Sequence, residues 1–355
     1  MLPLLGVYLQ FKTMLKKRQA ELAKLENLPS PASVSDVTID NFNEKINQSY
    51  QPLILKNFAA DWEIVKKSQQ SLALAAEYLK GFDHQQKLKL ISLPEDTLGR
   101  LFYNHDLSGK NFTVKNSTLS DSIDLMLEKD NKTRYCLQSV SLKQNYPELI
   151  AQLPNKLLPN TQSFIWIGNK VTVPAHFDEA NNIAVVAAGK RRFTLFQPEQ
   201  IKNLYIGPLD FTPAGQPISL VNLRAPDLSQ FPLYEQAYAN ALSVELEAGD
   251  AIYIPTPWWH HVESLSPFNV LINYWWSDNY VSSQLPFPML IHALQAFKNM
   301  PIDQQQAWQS IMQHYLFNQD ESAIAHIPKA AQGILGEQAK PVSHFIHQWL
   351  ASQIK

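Results

Sequence analysis

At 355 residues, with 45% hydrophobic and 17% charged residues, the chain can bury a sizeable core and is not of disordered composition. A formal net charge of −2 excludes a global basic field for nucleic acid, and Cys136, the single cysteine, excludes an intrachain disulfide or a cysteine-built metal site. No run is long enough to span a bilayer, and the apolar start Met1–Leu9 has no basic residues ahead of it and no clear cleavage signal, so a cytoplasmic location is expected.

Residues 8–27 read as an amphipathic helix, with Leu9, Phe11, Met14, Leu15, Leu22 and Leu25 recurring among charged residues, and Pro29 and Pro31 ending it. Strands are expected at 51–56, 88–93, 101–103 and 135–140, a helix opens near Asp61 and Trp62, and a second spans 121–127 with Ser120 as cap. From Phe164 to Trp276 short apolar strands alternate with Gly and Pro turns. Among them, 183–187 and 191–196 around Gly189 read as a hairpin, and 243–247, 251–254 and 270–275 complete the β region. Residues 198–204 look like a helical turn, and the Pro-rich excursion 207–232 is long enough to overhang a site. Beyond Pro286 the pattern turns helical, at 289–297, 302–316 and 341–354. The expected architecture is mainly β with flanking helices: a double-stranded β-helix (jelly roll) over 51–280, an N-terminal helix and linker in 1–50, and a helical segment in 281–355.

The chemistry gathers at V-P-A-H-F-D-E-A-N-N, Val173 to Asn182. His176 and Asp178 are two apart in an extended apolar context, so on a strand both would face one side. A second apolar run ends in Trp258, Trp259, His260 and His261 and supplies a further imidazole. Two histidines and one carboxylate on one face of a metal leave the opposite positions open, the arrangement of non-haem Fe(II) oxygenases. A lone core histidine is ordinarily structural. Here separate ligand positions and their flanks agree.

Four blocks in order, namely 174–178, Asn182, the stretch Gly189 to Pro198 and the stretch Gly249 to Leu265, resemble the JmjC/cupin-like 2-oxoglutarate oxygenases, its asparaginyl hydroxylases in particular. The likeness runs in weaker form from about residue 51 to about residue 276. The resemblance implies His176, Asp178 and His260 as ligands of Fe(II), with His261 as a neighbour. It implies 2-oxoglutarate as co-substrate, its far carboxylate held by Arg191 and by the hydroxyl of Tyr135, and Asn182 and Asn273 beside its metal-bound end with Trp275 packed next to them. The chain departs from the family in carrying Arg191 where most relatives have Lys, and Val173 where they often have Thr or Ser, which would remove one co-substrate hydrogen bond or move it to Thr172. Alternation sets Arg191 opposite to Lys190 and Arg192, one buried charge between two exposed ones. Cys136 reads as a core residue.

The implied activity is hydroxylation of a C–H bond coupled to oxidative decarboxylation of 2-oxoglutarate by O2. The substrate is expected to be a protein side chain or small molecule, approached between residues 100–118, including Tyr103 and Asn104, and the excursion 207–232. Three other readings stay open: a non-oxygenase cupin holding another divalent metal, a tRNA-modifying oxygenase, and a partner-binding scaffold. Helix-face spacing of Leu290, Leu294 and Phe297, and of Ile311 and Tyr315, leads to an expected homodimer through the C-terminal helices.

Overall fold

A computed structural model describes residues 2–155, 157–158, 161–278, 286–318, 323–336 and 340–353, and their side chains except those of residues 2–11 and 46–48. Two compact units divide between Trp276 and Ser277. In chain order the first holds α1 (Leu2–Leu22), β1 (Ala32–Val34), α2 (Ile39–Gln48), β2 (Leu53–Leu55), α3 (Glu63–Gln70) and α4 (Leu72–Lys80). It continues with β3 (Leu88–Leu93), β4 (Thr113–Ser117), α5 (Leu119–Leu127), β5 (Arg134–Ser141), α6 (Leu142–Asn145) and α7 (Pro147–Ile150). The remaining elements are β6 (Ser163–Gly168), β7 (Thr172–His176), β8 (Asn181–Ala188), β9 (Lys190–Phe196), α8 (Tyr234–Ala239), β10 (Leu242–Glu247), β11 (Ala251–Ile254), β12 (Trp259–Ser264) and β13 (Asn269–Trp276).

The strands form two sheets, a nine-stranded one in the order β1-β2-β11-β8-β13-β6-β5-β3-β4 and a four-stranded one in the order β10-β9-β12-β7. The four strands β11-β8-β13-β6 face the smaller sheet, which makes a jelly roll extended at both edges of its larger sheet. Side-chain alternation sorts the residues into layers. Ala184 and Val186 of β8, Ile252 of β11 and Leu271 of β13 meet Phe193 and Leu195 of β9 and Val262 of β12 between the sheets. Ile183, Val185, Val270 and Ile272 point the other way, under Trp62, Ile64, Leu79 and Ile123 of the helical layer. Phe196 and Trp259 on the outside of the small sheet are covered by Leu22 at the end of α1, by Leu25, and by Tyr234 and Ala237 of α8.

Several expectations are corrected. The apolar runs around Gly189 are not a hairpin, because β8 pairs with β11 and β13 while β9 pairs with β10 and β12. Gly189 is instead the corner where the chain leaves one sheet for the other. Its φ is +75°, and a Cβ there would lie 2.5 Å from the Phe268 carbonyl oxygen, so glycine is required. Residues 101–103 form no strand, only an isolated bridge between Tyr103 and Lys110. The cap of α5 is Thr118, whose hydroxyl accepts from the Asp121 amide at 3.1 Å, two positions before Ser120. The N-terminal helix stops at Leu22, with a short 3₁₀ turn over Leu25–Asn27; the side chains of Leu9 and Phe11 lie outside the described ones. Arg192 is buried, paired on the outer face of the small sheet with Glu245 and, at 3.5 Å, with Glu263.

The second unit contains α9 (Pro286–Phe297), α10 (Ile302–Met312), continued by a π turn over Gln313–Phe317, and α11 (Lys340–Gln353); Ile354, expected to close the last helix, lies outside the described residues. No residue described in these three helices is buried. Leu290, Leu294, Trp308 and Tyr315 are exposed, and Phe345 and Trp349 help line an apolar hollow of about 740 Å³. Among the described residues no helix is long and apolar enough to cross a membrane.

Candidate metal centre

His176 closes β7, and His260 of β12 is its direct cross-strand partner. Antiparallel partners present their side chains on one face, so both rings enter the space between the sheets, with centroids 4.2 Å apart. The β7–β12 pairing contains a bulge, two residues, Pro174 and Ala175, standing against one, His261, and this turns Val173 inward as well. Asp178 lies beyond the end of β7, so the turn and its hydrogen bonds aim it, not strand alternation. Its Oδ2 accepts from Trp275 Nε1 at 3.0 Å and from Asn182 Nδ2 at 3.1 Å, and its carbonyl accepts from the Thr256 hydroxyl at 2.6 Å.

One ligand atom from each of His176, Asp178 and His260 falls within 4.8 Å of the other two, and Asp178 Oδ2 is 3.6 Å from His260 Nε2. His176 Nδ1 is 2.8 Å from the Pro174 carbonyl and His260 Nδ1 3.1 Å from the Trp258 carbonyl. An Nδ1–H donated to a carbonyl fixes the tautomer and leaves Nε2 bare, which is how metal-ligating histidines are prepared. Burial, with His260 beside it, pushes His176 down to about 4, so its imidazole is neutral near pH 7. The donor set and its supports therefore fit a 2-His-1-carboxylate metal site. His261 faces the opposite side of β12, among groups outside the small sheet, and burial pushes it down to about 4.

The ligands open on a cavity of about 310 Å³ whose walls include Arg191, Asn182, Asn273 and Trp275. These come from the inner faces of β9, β8 and β13, so seven of the eight expected site residues surround one cavity. Arg191 is only 6% exposed, its Nε has no hydrogen-bond partner, and no carboxylate pairs with it among the described residues. Burial pushes its guanidinium down to about 10, which still leaves it charged at neutral pH. Asn273 accepts from Trp166 Nε1 at 2.8 Å, while the Asn182 side-chain oxygen has no partner.

Tyr135 is the eighth, and it lies elsewhere. On β5 it alternates with Cys136, so Tyr135 joins the core beneath the helical layer while Cys136 faces inward beside Arg191. The Tyr135 hydroxyl accepts from Asn131 Nδ2 at 3.4 Å, away from the cavity. A one-residue offset is enough to reverse a side chain's face. Thr172 is likewise opposite to Val173 and pairs through its backbone with Gly99 and Leu101. Tyr103 does not line the cavity; it is buried, and its hydroxyl donates to the Phe211 carbonyl at 2.8 Å, bracing the excursion. The excursion itself does reach the site, through Ala214, Gly215 and Gln216. Trp166 and Thr256 were missed, although the i, i+2 position of Trp166 relative to Phe164 on an apolar strand was visible.

Burial raises the Cys136 thiol to about 12 against an opposing pull from Arg191. The thiolate fraction in the folded chain thus stays negligible from pH 7 to 9, where an unfolded thiol would titrate. Labelling with a thiol reagent should be slow and nearly flat over that range, then fast after denaturation. A native rate rising tenfold per pH unit to the free-cysteine value would contradict this burial.

Residues 39–282 match the cupin-like domain family. Mouse tRNA wybutosine-synthesizing protein 5 is 24% identical over 71% of this chain and 78% of its own length. Arabidopsis thaliana lysine-specific demethylase JMJ31 is 33% identical over 30% of this chain, and Dictyostelium discoideum JmjC domain-containing protein D is 35% identical over 30%. Those two matches span only 19% and 23% of the relatives' own lengths.

Proposed function

The chain belongs to the cupin-like domain family, within the JmjC/cupin oxygenase superfamily, and we propose that it is an Fe(II)- and 2-oxoglutarate-dependent dioxygenase. Its proposed reaction hydroxylates a C–H bond of a protein side chain or small molecule. The observation that carries this reading is Arg191, a buried cation without a carboxylate partner on the wall of the cavity that holds the metal ligands. Buried charges are normally paired, and a dicarboxylate chelating the metal at one end would supply the missing charge at the other. A cupin working as an isomerase or a plain metal-binding module has no use for that cation.

When bound, iron and 2-oxoglutarate supply the oxidising chemistry with O2; the chain positions and shields. His176, Asp178 and His260 would hold the metal. Trp275 and Asn182 hold Asp178 in place. Arg191 grips the far carboxylate through its planar fork. Trp166, Val173 and Phe193 make the walls apolar, and Ala214 to Gln216 form the side contributed by the excursion. No general base is required.

The test is release of succinate from 2-oxoglutarate by the purified, Fe(II)-loaded chain, with mass spectrometry of treated lysates for products heavier by one oxygen. Absence of 2-oxoglutarate binding to the Mn(II)-loaded chain would end the proposal. The length of the match to the wybutosine-synthesizing relative favours tRNA as a second substrate class, while the net charge of −2 counts against it.

We further propose a homodimer through α9, α10 and α11, because their leucine, phenylalanine and tryptophan side chains are exposed and two-fold dimers are the commonest closed assembly. Light scattering of the full chain over a dilution series should give the dimer mass; a monomer at the highest concentration would refute it.

A further inference from the structure

Beside Arg191 the cavity wall has a small recess, lined also by Cys136, Gln138, Val173 and Ser264. The side chain of Gln138 offers a carboxamide Nε2 that is buried and without a hydrogen-bond partner, as is the Nε of Arg191. No carboxylate lines the recess, whose other walls include Val171, Ile167 and Gly168. Two unsatisfied donors with no anionic acceptor between them form an incomplete polar site, since buried donors are normally partnered.

Gln138 is two residues after the inward-facing Cys136 on β5, so alternation brings it to the recess, and a bulge that follows brings Ser139 to the main cavity. The pairing of β5 with β6 is broken by a bulge between Leu137 and Val140, and Ser139 within it has a φ of +48°. Cys136 and Gln138 both reach the recess while Leu137 is also in the core beneath the helical layer, and Ser139 reaches the main cavity. The bulge thus adds Ser139 to the inward-facing residues and is not what aims Gln138. The positions expected to assist Arg191 give it nothing: Tyr135 and Thr172 face away, and Val173 carries no donor.

We infer that Gln138 is a second anchor for the far carboxylate of the co-substrate, donating to it alongside Arg191. This rests on the dioxygenase reading above. A carboxylate has two oxygens with about four acceptor sites between them; the Arg191 fork occupies some and the Gln138 amide another. Gln138 thereby contributes to the chain's selection of a dicarboxylic 2-oxo acid over a monocarboxylic one.

The test compares 2-oxoglutarate with 2-oxopentanoate, which has the same carbon chain but no far carboxylate, by calorimetry on the Mn(II)-loaded full chain. The wild type should prefer 2-oxoglutarate. Gln138→Met, similar in volume but lacking the donor, should reduce that preference about tenfold, the scale of one hydrogen bond to a charged group. Gln138→Glu places a carboxylate beside Arg191 and should reduce it by about 100-fold or more, leaving 2-oxopentanoate and Mn(II) binding close to wild type. An unchanged preference in Gln138→Met overturns the inference, as does equal weakening of both acids, which would mark a purely structural role. A wild type with no preference at all overturns the dioxygenase reading itself, so the two failures are distinguishable.

Discussion

Alanine at His176, Asp178 or His260 should abolish tight metal binding, while His261→Ala should keep most of it. The three ligand atoms lie within 4.8 Å of one another, and removing any one leaves two. Changing the partners that merely orient metal ligands typically weakens binding by about 10–100-fold, so loss of a ligand itself should exceed about 100-fold. Trp275→Phe, which removes a donor to Asp178 Oδ2 but keeps an aromatic ring, should fall in the lower range. Metal content after dialysis, measured by elemental analysis on each variant, decides the matter. Equal losses in His260→Ala and His261→Ala would reverse the assignment of the pair. His261 is opposite in facing to His260 on β12, and a thermal melt separates a loss through disturbed packing from the loss of a ligand.

Arg191→Ala should weaken 2-oxoglutarate binding strongly and leave the metal in place. Truncating one partner of a buried charge pair commonly costs about 2–5 kcal/mol, roughly 30-fold or more in affinity. The ligand-free protein carries the uncompensated guanidinium as a burden, since burial alone lowers its pKa. Removing it should therefore leave the ligand-free chain as stable or more stable, while the stabilisation gained on adding 2-oxoglutarate shrinks. Thermal melts of the Mn(II)-loaded protein with and without 2-oxoglutarate measure both effects. A shift on ligand addition equal to that of the wild type would assign the far carboxylate to another group. Arg192 is a poor substitute, because it lies on the opposite face and is already paired with Glu245 and Glu263.

The sequence by itself determined the pieces that depend on local spacing. Apolar runs of strand length delimited β8, β11 and β13 to within a residue or two, while Asn182, Asn273 and Trp275 were singled out by the family resemblance, and the structure sets them around one cavity with Arg191 of β9. The three candidate metal ligands were legible from the two-residue spacing of His176 and Asp178 and, for the choice of His260, from the family resemblance. Facing fails as a local inference wherever a strand ends or bulges. Asp178 reaches the site from a turn, Val173 turns inward at a bulge, and Tyr135 is one residue out of phase with the recess.

Tertiary structure alone decided pairing. The runs on either side of Gly189 look like a hairpin because they are adjacent, yet their partners are distant segments in two different sheets. Nothing in the local pattern encodes that choice; it follows from burying both faces of β8 and the inner face of β9 at once. The same packing turned an expected exposed cation, Arg192, into a buried pair, and left Arg191 and Gln138 as donors awaiting an acceptor. A hydrogen bond left unmade is visible only when every neighbour has a position in space.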